Sequence, residues 1–531
     1  MLDLTLEERV VTARLRAAAE RTPEAPFLQF GDDVATYGAF HLRTNRVANA
    51  LAECGLGAFA KIAVFARNSP GFLDAWYGAT KIGAIYVPIN TEYKGEILRY
   101  QIHHADVTHI VIDPEFVDRL ADVIAGLPQL KHVILTQPAP VPDAIACRAD
   151  VHLLPDFLAA PDRDPGVEVA YDHPHAVSFT SGTTGPSKGV LCLNAHVTTF
   201  ALDWIRFLAF QPEESIYTPL PLFHAIGAWL GVVPAMLSGA RVTVSPRFSA
   251  SSYWDDVRRA NADVVHGIFS MIPILLKQPE RADDAMQPAR AYYIGNRNPA
   301  FEERFKCRIV EVYGATETGI VSAHDFDAER RPKSCGKPNA DTFDVAVLDD
   351  KDQPVPTGEV GEIAVRPRRP FSMVKEYYAR PDATLETFRN LWFHTGDNGK
   401  LDEDGYLYFV DRKKDAIRRR GENISSYELE FAVNQHPSVM ECAAVAVTSD
   451  LGEDEVKVVV VPRPGVELSA EELWRFCEAT MPRFWIPSFI EFRGELPKTA
   501  NQKIQKFLLK DRGDDALLFE RDWKTGEISA R

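Results

Sequence analysis

The chain runs to 531 residues, 46% apolar and 25% charged, an ordinary globular composition too long for one hydrophobic core, so two or more domains are expected. A formal net charge of −16 argues against nucleic acid or an anionic membrane as the main partner, while local basic patches remain able to hold a phosphorylated small molecule. Asp3, Glu7 and Glu8 stand where a secretory leader needs basic and apolar residues, no run approaches about eighteen apolar residues, and the seven cysteines are scattered without a CxxC pair; a cytoplasmic protein with reduced thiols, no integral membrane association, no zinc site and no disulfide framework is expected.

From Val10 to about Thr136, helical patterns alternate with short apolar runs such as Ala60–Phe65 and Thr108–Ile112, the signature of βαβ units around a largely parallel sheet. A Pro- and Asp-rich stretch, Gln137 to Asp172, breaks that rhythm. The apolar run Ala176-Val177-Ser178-Phe179 then enters Thr180-Ser181-Gly182-Thr183-Thr184-Gly185-Pro186-Ser187-Lys188-Gly189. Three glycines, five hydroxyls and a lysine in ten positions suit a loop that holds a polyphosphate, because glycine lets backbone N–H groups approach, hydroxyls add donors and an ammonium offsets charge. The loop is not a Walker A motif: counting from Gly182, Ser187 stands where the second glycine belongs and Gly189 where the hydroxyl belongs.

A second α/β region is expected to about Tyr313, and beyond Cys335 the runs become short and β-like, with turns at Pro356-Thr357-Gly358 and Asp404-Gly405. The basic run Arg412 to Arg420 ends that region. A compact tail follows, with helices expected near Ser426–Gln435 and Ser469–Met481 and strands at Ala443–Thr448 and Val456–Val461.

Five motifs occur in order: the Gly-rich loop, Tyr313-Gly314-Ala315-Thr316-Glu317, His394-Thr395-Gly396-Asp397, the Asp411–Glu430 segment, and Pro497-Lys498-Thr499-Ala500-Asn501-Gln502-Lys503-Ile504. This set resembles the adenylate-forming superfamily of acyl-CoA synthetases, peptide-synthetase adenylation domains and luciferases, and covers nearly the whole chain. The segments Phe248–Trp254, Leu275–Pro279 and Arg419–Ser425 look most like ligases of the crotonobetaine/carnitine-CoA type. The resemblance implies an α/β fold with a large N-terminal adenylate-forming domain, residues 1–412, containing parallel-rich sheets and a β-rich part. A hinge at 413–414 would join it to a small mobile α+β domain, 415–531.

The implied activity is ATP-dependent carboxylate:CoA ligation through an acyl-adenylate, releasing pyrophosphate and AMP, with Mg2+ as metal and coenzyme A as co-substrate. The alternatives are an adenylation-only enzyme serving a separate carrier protein, although no carrier module follows Arg531, and a non-catalytic ATP- or acyl-AMP-binding protein. By resemblance, Lys503 bridges the attacking carboxylate and the α-phosphate, where positioned cations stabilise the transition state. Glu317 holds magnesium, Thr316 donates to the α-phosphate, and Tyr313 stacks on adenine. Asp397 takes the ribose hydroxyls, and Arg412 contacts ribose and phosphate. Thr180, Ser181, Gly182, Thr183, Thr184 and Lys188 form the phosphate loop. Lys414 is the hinge residue, and Gly421 lines the pantetheine tunnel. Thr316-Glu317 also reads as a helix-opening pair.

Around the acyl group the resemblance places His224, Gly295 and Gly314, with His224 reading equally as a gate or as a satisfied core histidine. The pocket is taken as Phe223–Gly227, Phe269–Met271, Tyr292–Gly295 and Gly314–Ile320, apolar and aromatic, which favours a medium-sized, partly hydrophobic acid. Trp229, Tyr292 or Phe269 would suit a quaternary ammonium acid if their rings converged. Arg418, Arg419 and Arg420 read either as contacts for the phosphates of coenzyme A or as a solvated charged face. Two departures from the family stand out: Ile294-Gly295-Asn296-Arg297-Asn298-Pro299 replaces the usual glycine-rich adenine motif, and Gln502 replaces the glycine before the catalytic lysine. The sequence leaves the oligomeric state open, a homo-oligomer included.

Overall fold

Why the N-terminal residues build a parallel sheet is visible in their burial: Ile62–Phe65, Ile85–Val87 and Ile110–Ile112 are almost wholly buried, and helices Pro70–Lys81 and Gly95–His104 lie between them in sequence. The computed structural model describes residues 4–180, 187–269, 271–294, 297–412, 416–420, 422–448, 453–497, 504–510, 517–522 and 525–530. Contacts divide the chain into a larger unit, ending at Asp411, and a smaller one made of Arg412–Arg531 together with Glu92–Arg99 and Phe179–Lys188.

An eight-stranded sheet runs in the order Glu376–Tyr377, Lys188–Leu193, Pro174–Thr180, Ile85–Pro88, Lys61–Phe65, Val107–Ile112, His132–Leu135 and Asp150–Leu153. Helix starts follow local chemistry: Ser69 accepts from the Phe72 N–H with proline at the first helical position, and Thr36 accepts from Ala39 to open Tyr37–Glu53. The stretch Gln137–Asp172 does more than interrupt the pattern. It supplies the last strand, Asp150–Leu153, parallel to His132–Leu135. That strand is half exposed, so no apolar run marked it.

A seven-stranded sheet is ordered Arg308–Val310, Ala291–Tyr293, Val264–His266, Ser215–Thr218, Arg241–Val244, Pro26–Phe30 and Asp33–Thr36. Helix Asn194–Phe207 is buried along nearly its whole length and contributes Val197, Phe200, Ala201 and Trp204 to the main core. Two histidines accompany that core. Neither ring nitrogen of His196 or His266 has a hydrogen-bond partner among the described residues, and burial pushes each imidazole down from 6.5 to about 3. Because the unfolded chain takes up a proton near pH 6.5 and the folded one does not, stability is full above that pH and is lost as pH falls toward 3. His266→Phe should therefore flatten the acid limb, recovering about 1.4 kcal/mol at about pH 5.5 relative to neutrality. Chemical denaturation of both proteins at the two pH values checks this; parallel curves would contradict it.

Beyond residue 311 the larger unit is antiparallel. Val312–Ala315, Gly319–Ala323 and Lys337–Pro338 form three strands, and Phe343–Leu348, Gly361–Pro367, Phe393–Leu401 and Leu407–Arg412 form four.

The smaller unit has a hairpin, Ala416–Arg419 with Glu422–Ser425, helices Ser426–Val433 and Ala470–Thr480, and a five-stranded sheet led by Val439–Thr448 and Asp454–Pro462. Ile417, Ile424, Leu429, Leu473 and Trp474 sit in its core. The reading of Arg418–Arg420 as one basic cluster fails here. Alternation along the strand sends Arg419 inward beside Ile417, 1% exposed, while Arg418 and Arg420 face solvent. Arg419 donates to the carbonyls of Phe484 and Ile486 and to Ser488 Oγ, at 3.2, 2.6 and 2.7 Å, and pairs with Glu455 at 2.6 Å. It is neither solvated nor turned toward a phosphate.

Candidate active site

Thr316 and Glu317 do not open a helix. They lie in the turn of the antiparallel hairpin Val312–Ala315/Gly319–Ala323, both half-buried, and the Ala315 N–H donates to Thr318 Oγ1 at 3.2 Å across that turn. Gly314 is required by this closeness, since a Cβ there would stand 2.1 Å from the Gly319 carbonyl oxygen. Gly319 itself has φ +75°. Glu317 is held twice from one segment. The Val374 N–H donates to its carbonyl at 2.7 Å, and the buried Tyr377 hydroxyl donates to its Oε1 at 3.3 Å. A segment 60 residues distant in sequence thus sets the direction of the carboxylate.

Asp397 is buried in strand Phe393–Leu401. Its backbone N–H donates to Thr395 Oγ1 at 3.1 Å, and the Thr395 hydroxyl donates to the Ile363 carbonyl at 2.7 Å. Glu362, 5% exposed, accepts from the Gly396 N–H, approaches His394 Nδ1 at 3.1 Å and pairs with Arg389 at 3.0 Å. These contacts fix the strand on which Asp397 is presented. The Tyr313 hydroxyl donates to Asp397 Oδ2 at 2.8 Å, joining two of the sequence motifs directly. Phe409 lies beside the Tyr313 ring, 6.2 Å between centroids, giving that motif an aromatic neighbour the sequence did not single out.

His224 is half-buried at the start of Ala225–Ala228, its N–H bonded to Pro221 and its ring 4.6 Å from that of Phe223. Gly227 behind it admits no Cβ, which would meet the Pro221 carbonyl oxygen at 2.2 Å. The rings considered for a cationic acid are divided. Trp229 packs in the main core with its indole N–H on Tyr86, and Tyr292 packs in a second cluster with its hydroxyl on the Ile268 carbonyl. Those two rings share no aromatic contact among the described residues.

Thr180 closes strand Pro174–Thr180 and Lys188 opens Lys188–Leu193. Within the smaller unit the Ser187 N–H donates to the Glu428 carboxylate at 2.5 Å, and burial raises that carboxyl to about 7. Arg412 ends strand Leu407–Arg412, and its side chain lies outside the described residues, as do Ser181, Gly182, Thr183, Thr184, Gly295, Lys414, Gly421 and Lys503. Sequence reasoning missed Tyr377 and Glu362. Nothing in Glu376-Tyr377-Tyr378 advertises a partner, because the contacts arise only on folding.

The AMP-binding enzyme family matches residues 15–378, and the AMP-binding enzyme C-terminal domain matches residues 428–503. The chain belongs to the AMP-binding enzyme family. Within it the protein is an adenylate-forming ligase of the acyl-CoA synthetase class. This family member is 31% identical over 489 residues to a crotonobetaine/carnitine–CoA ligase of Salmonella paratyphi A, covering 90% of this chain and 93% of the relative. Its fold matches o-succinylbenzoate CoA synthetase from Bacillus subtilis with TM-score 0.81 at 22% identity, covering 94% of this chain and 98% of that one. It also matches ATP-bound MatB from Rhodopseudomonas palustris with TM-score 0.69 at 25% identity, over 94% and 98%. No described helix is long and apolar enough to cross a membrane.

Proposed function

We propose that this AMP-binding enzyme activates a medium-sized, partly hydrophobic carboxylic acid in the cytoplasm and transfers its acyl group to coenzyme A. The observation that carries the reading is the Tyr313–Asp397 bond of 2.8 Å, which gathers an aromatic ring and a buried carboxylate at one place, the pair needed for a base and its ribose. A substrate carboxylate oxygen attacks the α-phosphorus of ATP and pyrophosphate leaves. The thiol sulfur then attacks the acyl carbon, AMP leaves, and the thiol proton passes to solvent.

In this reading Asp397 accepts from the ribose hydroxyls, Tyr313 covers adenine, and Thr316 donates to the α-phosphate. Thr180 to Thr184 and Lys188 hold the remaining phosphates, and Arg412 contacts ribose and phosphate. His224, Gly295 and Gly314 border the acyl group. Lys414 in the 413–414 hinge lets the domain 415–531 present Lys503 for adenylation and Gly421 for thioester formation. Glu317 suits magnesium, since one oriented carboxylate beside substrate phosphates is how that hard cation is usually held. The ion would supply neutralisation of phosphate charge.

Release of pyrophosphate that depends on a carboxylic acid, measured across a panel of acids, tests the reading. Release of AMP that further depends on coenzyme A separates ligation from adenylation alone. No acid-dependent pyrophosphate from any member of the panel would defeat the proposal.

Tyr377 provides a narrower check. Removing its hydroxyl loosens the Glu317 carboxylate without touching substrate. Tyr377→Phe should raise the Mg2+ concentration giving half-maximal adenylation by about threefold to tenfold, the order of one ordinary hydrogen bond lost. Mn2+ binding to the ATP complex, read by electron paramagnetic resonance, should weaken in step. An unchanged metal dependence would remove Tyr377 from the site.

A further inference from the structure

At the amino ends of its parallel strands the eight-stranded sheet borders a cavity that the reaction does not use. Lys61, Ile85 and Pro174, the first residues of three neighbouring strands, line a space of about 480 Å³, within the range of small-molecule sites. Ligands of open α/β sheets collect at the carboxyl ends of the strands, and strand Pro174–Thr180 carries the chain roughly 20 Å away from the cavity before the Gly-rich loop is reached. The cavity is therefore separate from the residues assigned to ATP.

Its walls are fixed from several sides. The Gly83 carbonyl oxygen accepts from the Phe59 N–H and from His173 Nε2, each at 2.8 Å, and the Phe59 and His173 rings lie 4.4 Å apart, 32° from parallel. The Tyr378 hydroxyl donates to Asp106 Oδ2 at 2.8 Å, and the Tyr378 N–H donates to the Gly189 carbonyl at 2.7 Å. Lys61 Nζ sits over the Tyr378 ring, 4.8 Å from its centroid. Phe59 has φ +65° yet is 57% exposed. A left-handed backbone is costly for a bulky side chain, and this ring recovers little of that cost by burial, the pattern of a residue kept for contact with a ligand.

Two cations, Lys61 and Lys375, and two carboxylates, Glu168 and Asp172, face the same space, and no ion pair joins the two signs among the described residues. We propose that this cavity is a second small-molecule site, one that takes a free aromatic amino acid. A simple anion would meet both carboxylates and a simple cation both ammonium groups, whereas a zwitterion satisfies the two signs at once. The ligand carboxylate is held by Lys61 and Lys375, its ammonium by Glu168 and Asp172, and its ring by Phe59 and Tyr378, over a floor of the buried Ile85 and Leu191. Because the rings are already fixed, little ordering is needed on binding.

The test uses the full-length protein without nucleotide and L-tryptophan as probe. Calorimetric titration should give one saturable site per chain with a Kd below about 1 mM. Tryptamine, which lacks the carboxylate, and indole-3-propionate, which lacks the ammonium, should each displace tryptophan about tenfold less effectively, or worse, the order of one hydrogen bond to a charged group. Lys375→Ala, Asp172→Asn and Phe59→Asn should each weaken tryptophan binding about tenfold; asparagine suits the left-handed backbone at position 59, so the ring is removed without added strain. His224→Ala should leave the binding intact. Melting curves verify that the variants fold, with Lys375→Gln and Phe59→Leu standing in for any that does not. No saturable binding, equal displacement by all three compounds, an affinity unaltered by the cavity variants, or a loss confined to His224→Ala would overturn the proposal.

Discussion

Lys503→Ala is expected to slow acyl-adenylate formation about 100-fold or more while leaving supplied acyl-adenylate convertible to acyl-CoA. Two anions must meet when a carboxylate attacks the α-phosphate, and in the proposed mechanism one ammonium neutralises both as the new bond forms. Its contribution is larger in the transition state than in the ground state, so the loss should fall on turnover rather than on affinity for ATP. Nucleotide affinity would instead depend on Tyr313, Asp397 and the phosphate loop. The second half-reaction breaks the acyl carbon–oxygen bond of a mixed anhydride already activated, and the reading assigns Lys503 no part in it. Single-turnover assays of the separate halves check the prediction. Normal adenylation by the variant would show that the tail lysine had been misassigned.

Arg419→Ala should destabilise the smaller unit by about 3–5 kcal/mol, because it removes a buried cation and leaves its partners without it. The two carbonyls of Phe484 and Ile486, Ser488 Oγ and Glu455 all converge on one guanidinium. Arg419→Lys should recover only part of the loss, since an ammonium cannot reproduce a planar fork with several fixed donors. Arg418→Ala, on the exposed side of the same strand, should fall within about 0.5 kcal/mol of the wild type. Chemical denaturation of the three variants decides. A cost below about 1 kcal/mol for Arg419→Ala would mean that the buried network contributes little to folding.

The contrast between Arg418 and Arg419 shows how far a linear reading reaches. Composition presents three successive arginines as one patch, but Ile417 in the same strand already marked the inward face, and residues two apart share a face. That signal was available. No such local signal existed for the edge strand Asp150–Leu153, whose half-exposed pattern looks like an ordinary polar linker. Thr316-Glu317 erred in another way: the pair is a good helix opener in isolation, yet the hairpin Val312–Ala315/Gly319–Ala323 claims its backbone, so long-range pairing overrode local propensity.

The sequence by itself determined the family, the alternation of strands and helices before Thr136, the short β-like runs after Cys335 and the order of the motifs. These properties reside in short windows, where periodicity and turn chemistry act between near neighbours. Only the tertiary structure decided that Tyr313 bonds Asp397, 84 residues along the chain, and that Tyr377 turns the Glu317 carboxylate. It likewise decided that His132 and His152 meet across adjacent strands and that Trp229 and Tyr292 occupy separate cores. Those contacts depend on sheet order and register, which are selected by the burial of many side chains at once, and a hydrogen bond between distant residues leaves no trace in the residues around either partner.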